Sequence, residues 1–200
     1  MSEKHHLLIE RIGSGDQIAF KELYDAFSAR VYNTLLSYTQ NEEDAEELLQ
    51  DVFVKVFHES AKFRQDSSVS TWIYRIAVNR ALDFKRSQQA TKRKGFFYSL
   101  YKKDSGDIQY DQTDFVHPGV KLENQEDAKA LFRVIETLPE NQKTAFILTQ
   151  IEDLNQTEAA EIMQLSRKAV ESLVRRAKEN LKKTLIHLYP ERGEKQIKTS

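Results

Sequence analysis

The stretch that decides the fold class is LNQTEAAEIMQLSRKAVESLVRRAKENLKK, residues 154–183. Its apolar residues recur at helical spacing and predict a short helix from about Gln156 to Met163. A tight turn follows near Gln164 and Leu165, and a longer basic helix begins at about Arg167. Two helices joined by so short a turn form a helix-turn-helix pattern. The stretch therefore predicts a helical domain.

The longer helix has two faces of opposite character. Ser166 can cap its first turn, and Ala160 is small where the two helices approach each other. The core side carries an apolar stripe: Val170, Val174, Ala177, Leu181 and Leu185. The other side carries polar and charged groups: Lys168, Glu171, Ser172, Arg175 and Arg176. In helix-turn-helix proteins the second helix enters the major groove of DNA, so this polar side is a candidate base-reading surface. The alternative is a helical hairpin with a basic exterior.

The composition agrees with a wholly helical chain. Among 200 residues there are six glycines and three prolines, and long segments have helical periodicity, which together predict an all-α protein. The absence of cysteine excludes disulfides and thiolate metal sites. No apolar run approaches the roughly 18 residues that a membrane span needs. The N-terminal stretch is too polar for a secretory signal, so a cytoplasmic location and no membrane insertion are expected.

Charge is distributed in blocks although the net charge is only −1. Residues 40–61 hold seven acids and one base, and residues 62–94 hold nine bases and two acids. The pattern repeats, with nine acids and three bases in residues 123–164 and seven bases and two acids in residues 165–183. Alternating blocks indicate separate surfaces for separate partners, although ordinary solvated helix faces are the alternative.

Helical periodicity divides the chain into two domains. It covers roughly Ile18 to Lys85, fades from Ser87 to about Leu122, and then resumes to about Leu188. The middle segment holds three of the six glycines and Pro118, so it is predicted to be a flexible linker. The boundaries are a first domain at 1–87, a linker at 88–122, a second domain at 123–188 and a disordered tail at 189–200. The linker aromatics dock either on a domain or on a partner: Phe96, Phe97, Tyr98, Tyr101, Tyr110 and Phe115.

The helix in residues 41–60 presents two different apolar surfaces. Asn41 can cap it, and its core stripe consists of Ala45, Leu48, Leu49, Val52 and Val56. The opposite side places two apolar residues beside acids and an amide: Glu43, Glu47, Gln50, Val54 and Phe57. A valine and a phenylalanine on the polar side indicate a second contact surface. A helix packed on both sides inside a small bundle is the alternative.

The segment FRQDSSVSTWIYRIAVNRALDF, residues 63–84, is a polar loop followed by a helix that we expect Ser70 to cap. The predicted inward residues are Ile73, Ile76, Ala77, Ala81 and Phe84, and the outward residues are Trp72, Arg75, Asn79, Leu82, Asp83 and, beyond the segment, Arg86. Arginines contact phosphates, an exposed indole stacks on a base, and asparagine reads base edges. The loop from Arg64 to Ser70 could hold one base splayed from a duplex. A buried Trp72 beside solvated arginines is the alternative.

Two blocks together resemble a known family. Residues 44–86, DAEELLQDVFVKVFHESAKFRQDSSVSTWIYRIAVNRALDFKR, are similar to region 2 of the bacterial group IV (extracytoplasmic-function, ECF) sigma factors of the sigma-70 family. Residues 138–183, LPENQKTAFILTQIEDLNQTEAAEIMQLSRKAVESLVRRAKENLKK, are similar to region 4 of the same family. The resemblance implies two small helical domains, of which the first recognises and melts the promoter −10 element and the second reads the −35 element.

The resemblance also implies a role for three sets of residues. Contact with core RNA polymerase, at the coiled coil of its β′ subunit, falls on Glu47, Leu48, Gln50, Asp51, Val54 and Phe57. The −10 determinants fall on Arg64, Ser67, Ser68, Ser70, Trp72, Arg75, Asn79, Asp83 and Arg86. The −35 determinants fall on Arg167, Lys168, Glu171, Ser172, Arg175 and Arg176. The implied partners are core polymerase (β′ coiled coil and β flap), promoter DNA and an anti-sigma factor.

Two positions depart from the family pattern. Glu171 stands where many members have Lys or Arg, and it can accept a hydrogen bond from a cytosine amine. Gln164 replaces the usual turn glycine.

Two other classes of protein are alternatives. A self-sufficient repressor or activator would use the same motif as a dimer, but this class leaves the features of residues 40–84 unexplained. An enzyme is disfavoured, since the histidines lack metal-ligand spacing and no phosphate-binding loop is present; no catalytic residue, cofactor or metal is expected. His5 and His6 are expected at the surface.

Overall fold

A computed structural model of the chain describes residues 2–101 and 125–188. Over these ranges it contains eight α-helices and no β-strand, so the all-α prediction is confirmed. The helices are α1 (Ser2–Gly13), α2 (Gln17–Thr39), α3 (Glu42–Glu59), α4 (Val69–Tyr101), α5 (Gln125–Glu136), α6 (Glu140–Phe146), α7 (Gln156–Met163) and α8 (Arg167–Leu188). A short 3-10 turn, Ser60–Lys62, follows α3, and a π-helical turn, Ile147–Ile151, follows α6. No helix in the described part is long and apolar enough to cross a membrane.

Side-chain caps set the boundaries of the first helices. The Asp16 carboxylate begins α2 by accepting hydrogen bonds from the Ile18 and Ala19 amides at 2.9 and 3.1 Å. The bond from Ala19, together with a bond from the Arg11 side chain, lowers the pKa of that carboxyl. Asn41 begins α3, as predicted, by accepting from the Asp44 amide at 2.9 Å. These polar residues therefore place the helices that carry the first domain's core.

The first domain's core is formed by the apolar faces of α1 to α4. The predicted α3 stripe is buried throughout: Ala45, Leu48, Leu49, Val52 and Val56 are at most 8% exposed. In α4 the predicted inward residues Ile73, Ile76, Ala77 and Ala81 are buried, whereas Phe84 is half-buried. Helix α1 was not predicted, yet Leu8, Ile9 and Ile12 are also in this core. Burial of these faces supplies the main favourable term for folding.

Helix α4 differs from the prediction at both ends. Ser68 rather than Ser70 caps it, because the Ser68 hydroxyl accepts from the Thr71 amide at 3.0 Å and the helix begins at Val69. The helix also continues past Ser87 to Tyr101, through the first part of the predicted linker. Residues 87–94, SQQATKRK, are rich in good helix formers but lack an apolar stripe, so periodicity does not reveal them. The linker aromatics Tyr110 and Phe115 lie outside the described residues.

The second domain contains the predicted helix-turn-helix. Asn155 begins α7 with a capping box, in which its side chain accepts from the Glu158 amide and the Glu158 carboxylate accepts from the Asn155 amide. Gln164 ends α7 in the left-handed conformation, at φ 55° and ψ 40°. Ser166 then caps α8 by accepting from the Ala169 amide at 3.2 Å, as predicted. Helix α7 has the predicted bounds, and α8 begins at the predicted Arg167.

Contacts divide the described residues into two compact units. The first holds described residues within Met1–Arg64 and Ile73–Phe115, and the second holds those within Gln65–Trp72 and Val116–Ser200. Residues 65–72, which are the polar loop before α4 and the first turn of α4, thus group with the second unit. The core of the second unit is formed mainly by Phe132, Ile135, Ile147, Leu148, Val170 and Ala177, all at most 1% exposed.

Candidate nucleic-acid interface

The outward side of α3 is acidic at its start and apolar further along. Glu43, Glu47 and Gln50 are exposed, and Val54 is 55% exposed. Phe57 is half-buried. An exposed valine of this kind, rimmed by acids, is a plausible contact point for another protein. The structure therefore brings together four members of the predicted polymerase-binding set and shows Val54 accessible.

The other two members of that set are placed differently. Leu48 is 5% exposed, so its side chain lies in the core rather than on the surface. Asp51 is partly exposed, and its carboxylate forms an ion pair with the guanidinium of Arg80 on α4. Arg80 was not among the predicted site residues, because its pairing with Asp51 depends on how α3 and α4 pack. Asp51 thus connects α3 to α4, the helix that carries the outward stripe.

A second feature of the α2–α3 surface was missed in the sequence. The Phe20 ring lies edge-on to the Phe57 ring at 5.3 Å between ring centroids, and the Tyr24 ring is tilted against the Phe53 ring at 4.7 Å. Beside Tyr24, a cleft of about 500 Å³ opens between the helices; it is lined by Tyr24, Ser28, Ala29, Tyr32, Glu46, Leu49 and Gln50. Burial, followed by the charges of Glu42 and Glu46, raises the pKa of the Tyr32 hydroxyl. Helical spacing alone could have paired Phe53 with Phe57, but not with α2.

The polar loop before α4 contains both accessible and committed side chains. Arg64 is exposed, and Ser67 and Ser70 are half-buried. The Ser68 hydroxyl is occupied by the cap of α4 and lies 2.9 Å from the Thr71 hydroxyl. Gln65 has φ 59°, a left-handed conformation that side chains other than glycine adopt at a cost. Such local strain is common where a loop is shaped for binding.

The outward stripe of α4 is graded in exposure. Trp72 and Arg75, near the start of the helix, are half-buried, whereas Asn79, Asp83 and Arg86 further along are exposed. Asp83 and Arg86 form an exposed ion pair at 3.4 Å. Trp72 is therefore neither a core residue nor a fully presented ring, which is intermediate between the two readings of the sequence. The exposed groups of the stripe are the Asn79 amide and the Asp83–Arg86 ion pair. Trp72 and Arg75 are only partly accessible.

The polar side of α8 faces solvent. Arg167, Lys168, Glu171, Arg175 and Arg176 are exposed and Ser172 is half-buried, while the predicted core residues Val170, Val174, Ala177 and Leu181 are buried. Leu185 is half-buried, where the core stripe ends. Arg175 pairs with Glu179 one turn later at 2.8 Å. The predicted −35 set therefore presents four exposed cations and the Glu171 carboxylate on a capped helix.

The exposed groups on these helices have the chemistry of nucleic-acid recognition. Cationic, amide and hydroxyl groups on helices can contact phosphates and base edges. Among residues 2–101 and 125–188 there is no group of three or more His, Asp or Glu side chains placed to hold a metal ion.

Comparisons with known proteins match both domains. Residues 23–91 match the family model of Sigma-70 region 2, and residues 128–181 match that of Sigma-70, region 4. The ECF RNA polymerase sigma-E factor of Haemophilus influenzae is 31% identical over 174 residues, which cover 86% of this chain and 90% of that protein.

Two solved structures share the fold. CnrH, in complex with the cytosolic domain of CnrY, superposes with a TM-score of 0.65 at 23% identity, covering 91% of this chain and 97% of CnrH. RpoE from Bartonella quintana, in complex with the anti-sigma factor NepR, has a TM-score of 0.59 at 21% identity, covering 83% and 96%.

Proposed function

The chain belongs to the extracytoplasmic-function group of the sigma-70 family and so serves promoter-directed transcription initiation, and on that premise we propose a role for each of its three polar surfaces. The first domain, residues 1–87, would bind core polymerase and open the −10 element. The second, residues 123–188, would read the −35 element and contact the β flap. Residues 88–122 would connect them, and residues 189–200 would form a C-terminal tail.

The outward side of α3 is the proposed polymerase-binding surface. Its exposed Val54 gives an apolar centre, and Glu47 and Gln50 give a polar rim, which is the usual anatomy of a protein interface. Acidic groups at the rim favour a basic partner and raise the rate of encounter. In this proposal the partner is the β′ coiled coil, Asp51 and Phe57 complete the surface, and Leu48 supports it from the core.

The loop before α4 and the outward stripe of α4 are the proposed −10 reader. The stripe would follow the non-template strand, with phosphates on Arg75 and Arg86 and a flipped base near the loop and Asn79. Unstacking a base costs a few kcal/mol, and stacking contributes about 1–3 kcal/mol per base. The partly exposed indole of Trp72 and the exposed amide of Asn79 can offset that cost. Ser67 and Ser70 would line the pocket, and Ser68 would shape it as the cap of α4.

The exposed side of α8 is the proposed −35 reader. Its first two turns carry Arg167 and Glu171 where a recognition helix meets base edges, and they carry Lys168 as a phosphate contact. Arg175 and Arg176 lie further along and would contact the phosphates. Ser172 is half-buried and has a short side chain, and its hydroxyl would contact the DNA backbone.

The remaining proposals concern partners and location. The Bartonella quintana relative was solved with an anti-sigma factor, and we infer a comparable inhibitor for this chain. Because the protein would act with polymerase on promoter DNA, we propose that it is cytoplasmic. The chain would itself catalyse no reaction and need no cofactor, because it supplies binding surfaces to an enzyme.

The observation that carries the proposal is that one domain carries two different surfaces, the acidic side of α3 and the outward stripe of α4 from Arg75 to Arg86. Two substitutions should therefore damage different steps. Asn79→Ala should block promoter opening and leave core binding intact, whereas Glu47→Lys should weaken core binding. Ser87→Ala, at an exposed position on α4 beyond the stripe, is the control and should change neither step. Loss of core binding in Asn79→Ala, or unchanged core affinity in Glu47→Lys, would count against these roles.

A further inference from the structure

Helix α1 precedes the residues that match the family model, which begin at residue 23. One side of the helix is nonetheless part of the domain core, since Leu8, Ile9 and Ile12 are 2–3% exposed. The other side faces solvent, with Leu7 57% exposed. A helix so firmly packed has a fixed position, and the elements it touches indicate what that position serves.

The C-terminal end of α1 lies directly against the 3-10 turn Ser60–Lys62. A Cβ atom at Gly13 would stand 3.1 Å from the Ala61 Cα and 3.3 Å from the Ala61 amide nitrogen. These distances are shorter than ordinary van der Waals contact, and the neighbouring atoms are backbone, which cannot move aside without shifting the turn. Gly13 is therefore the residue that allows α1 to approach the turn so closely.

The middle of α1 packs against Phe63, which follows the 3-10 turn. The His6 ring lies 5.8 Å from the Phe63 ring with the planes 35° apart. His6 Nε2 is buried and makes no hydrogen bond within the part of the chain that the structure describes. The contact of the imidazole with Phe63 is therefore one of ring packing, and no hydrogen bond at Nε2 adds to it. His5, on the preceding residue, packs edge-on against Phe27 at 4.9 Å, so the expectation that both histidines are plain surface residues was wrong.

Phe63 is followed at once by Arg64, the first residue of the loop that we assign to the −10 element. The turn and Phe63 form the point from which this loop leaves the domain, and α1 fixes both. We propose that α1 positions Arg64, the residue at which the −10-reading loop begins, with His6 and Gly13 as the positioning residues. The inference rests on the proposed −10 role of Arg64. A binding loop has to be held within about 0.5 Å of its productive geometry, which a packed neighbouring helix can ensure.

The test uses the full chain assembled with core polymerase, on a promoter that the wild-type protein transcribes. Opening is followed by the fluorescence of 2-aminopurine in the non-template strand of the −10 element, and core affinity is measured in parallel. The variants are His6→Ala, which removes the ring, His6→Phe, which keeps a ring without the nitrogens, and Gly13→Val, which drives α1 from the turn. Leu7→Ala is the matched control, because Leu7 is the next residue of α1 and is exposed.

His6→Ala should slow opening about two- to tenfold, as expected for the loss of one aromatic pair, with core affinity unchanged. Gly13→Val should slow opening further, and His6→Phe and Leu7→Ala should open the promoter as the wild type does. The inference is overturned if His6→Ala matches Leu7→Ala, if His6→Phe fails to restore opening, or if core affinity falls in step with opening. A wild-type holoenzyme that leaves the −10 probe silent would instead overturn the proposed −10 role itself.

Discussion

At the scale of single residues, the carboxylate of Glu171 is the unusual feature of the proposed −35 reader. It is exposed on α8 among four exposed cations, Arg167, Lys168, Arg175 and Arg176. Acidic side chains repel phosphates, so its place on this side is best explained by a base contact, and cytosine N4 is the donor that a carboxylate accepts. Lysines, in contrast, bind phosphates as point charges and carry little sequence information.

This contrast predicts two different mutant phenotypes. Glu171→Gln should relax the preference at one −35 base pair by about 1–3 kcal/mol, because the carboxylate reads that base. Lys168→Ala should instead weaken binding to all sequences alike and reduce the salt slope by about one. Competition assays on −35 duplexes carrying each base in turn distinguish the two. Equal effects of Glu171→Gln on every duplex would contradict a reading role for Glu171.

Gln164 gives a second prediction at this scale. Its left-handed backbone, at φ 55°, costs a residue with a Cβ about 1–2 kcal/mol. Gln164→Gly should therefore raise the free energy of unfolding of the second domain by about 1 kcal/mol. Gln164→Ala is the control, since alanine retains the Cβ and the strain. Thermal unfolding measures both, and equal midpoints for the two variants would show that the turn is not strained.

At the scale of helices, the ion pair of Asp51 with Arg80 links the proposed polymerase-binding helix to the proposed −10 helix. Both side chains are about 40% exposed, so the pair should contribute no more than about 1 kcal/mol to stability. Its interest lies in function, because the resemblance assigns Asp51 to polymerase contact while the structure gives it an internal partner.

A charge exchange separates these two roles. The double variant Asp51→Arg/Arg80→Asp should recover the stability that either single change loses, because the pair is rebuilt with its charges reversed. It should not recover core binding, because a cation at position 51 faces a basic partner. Chemical denaturation and core-affinity measurements test the two statements. Recovery of both would mean that Asp51 acts through Arg80 and does not itself contact polymerase.

The helices also show how far sequence reasoning reached. Apolar spacing predicted the core stripes of α3 and α8, and cap residues predicted the starts of α3 and α8, because both signals are local. Three features needed more than local signals. Helix α1 was missed because its apolar residues are few, and the second half of α4 because it lacks an apolar stripe. Ser70 was chosen over Ser68 because each serine offers a hydroxyl, and tertiary packing decides where the helix begins.

In the candidate surfaces, too, local features could be predicted from the sequence, and contacts between distant residues could not. The exposed side chains Glu47, Asn79 and Arg175 could be placed from helical phase alone. The pairing of Asp51 with Arg80, the Phe20–Phe57 contact and the closeness of His6 to Phe63 could not, because each joins residues that are distant in sequence. Such contacts depend on how helices pack, which a single sequence does not encode in any local pattern.

At the scale of the whole molecule, charge explains why this protein should depend on a partner. Its net charge is −1, and its basic blocks are balanced by acidic ones. Affinity for free DNA comes largely from cations that neutralise phosphates, so a near-neutral chain with two small basic surfaces should bind free promoter DNA weakly. Polymerase would supply the remaining affinity and fix the distance between the two reading surfaces. The acidic side of α3 would be the link to that partner.

The central claim, that this chain gives core polymerase a promoter specificity, is tested most directly by run-off transcription. Fragmented bacterial genomic DNA is transcribed by purified core polymerase with and without the protein. We expect discrete new transcripts whose start sites share −35 and −10 motifs, and we expect none of these transcripts when Asn79→Ala replaces the wild-type chain. The absence of new transcripts, together with tight binding of promoter-sized DNA by the protein alone, would contradict the account and favour a free-standing repressor or activator.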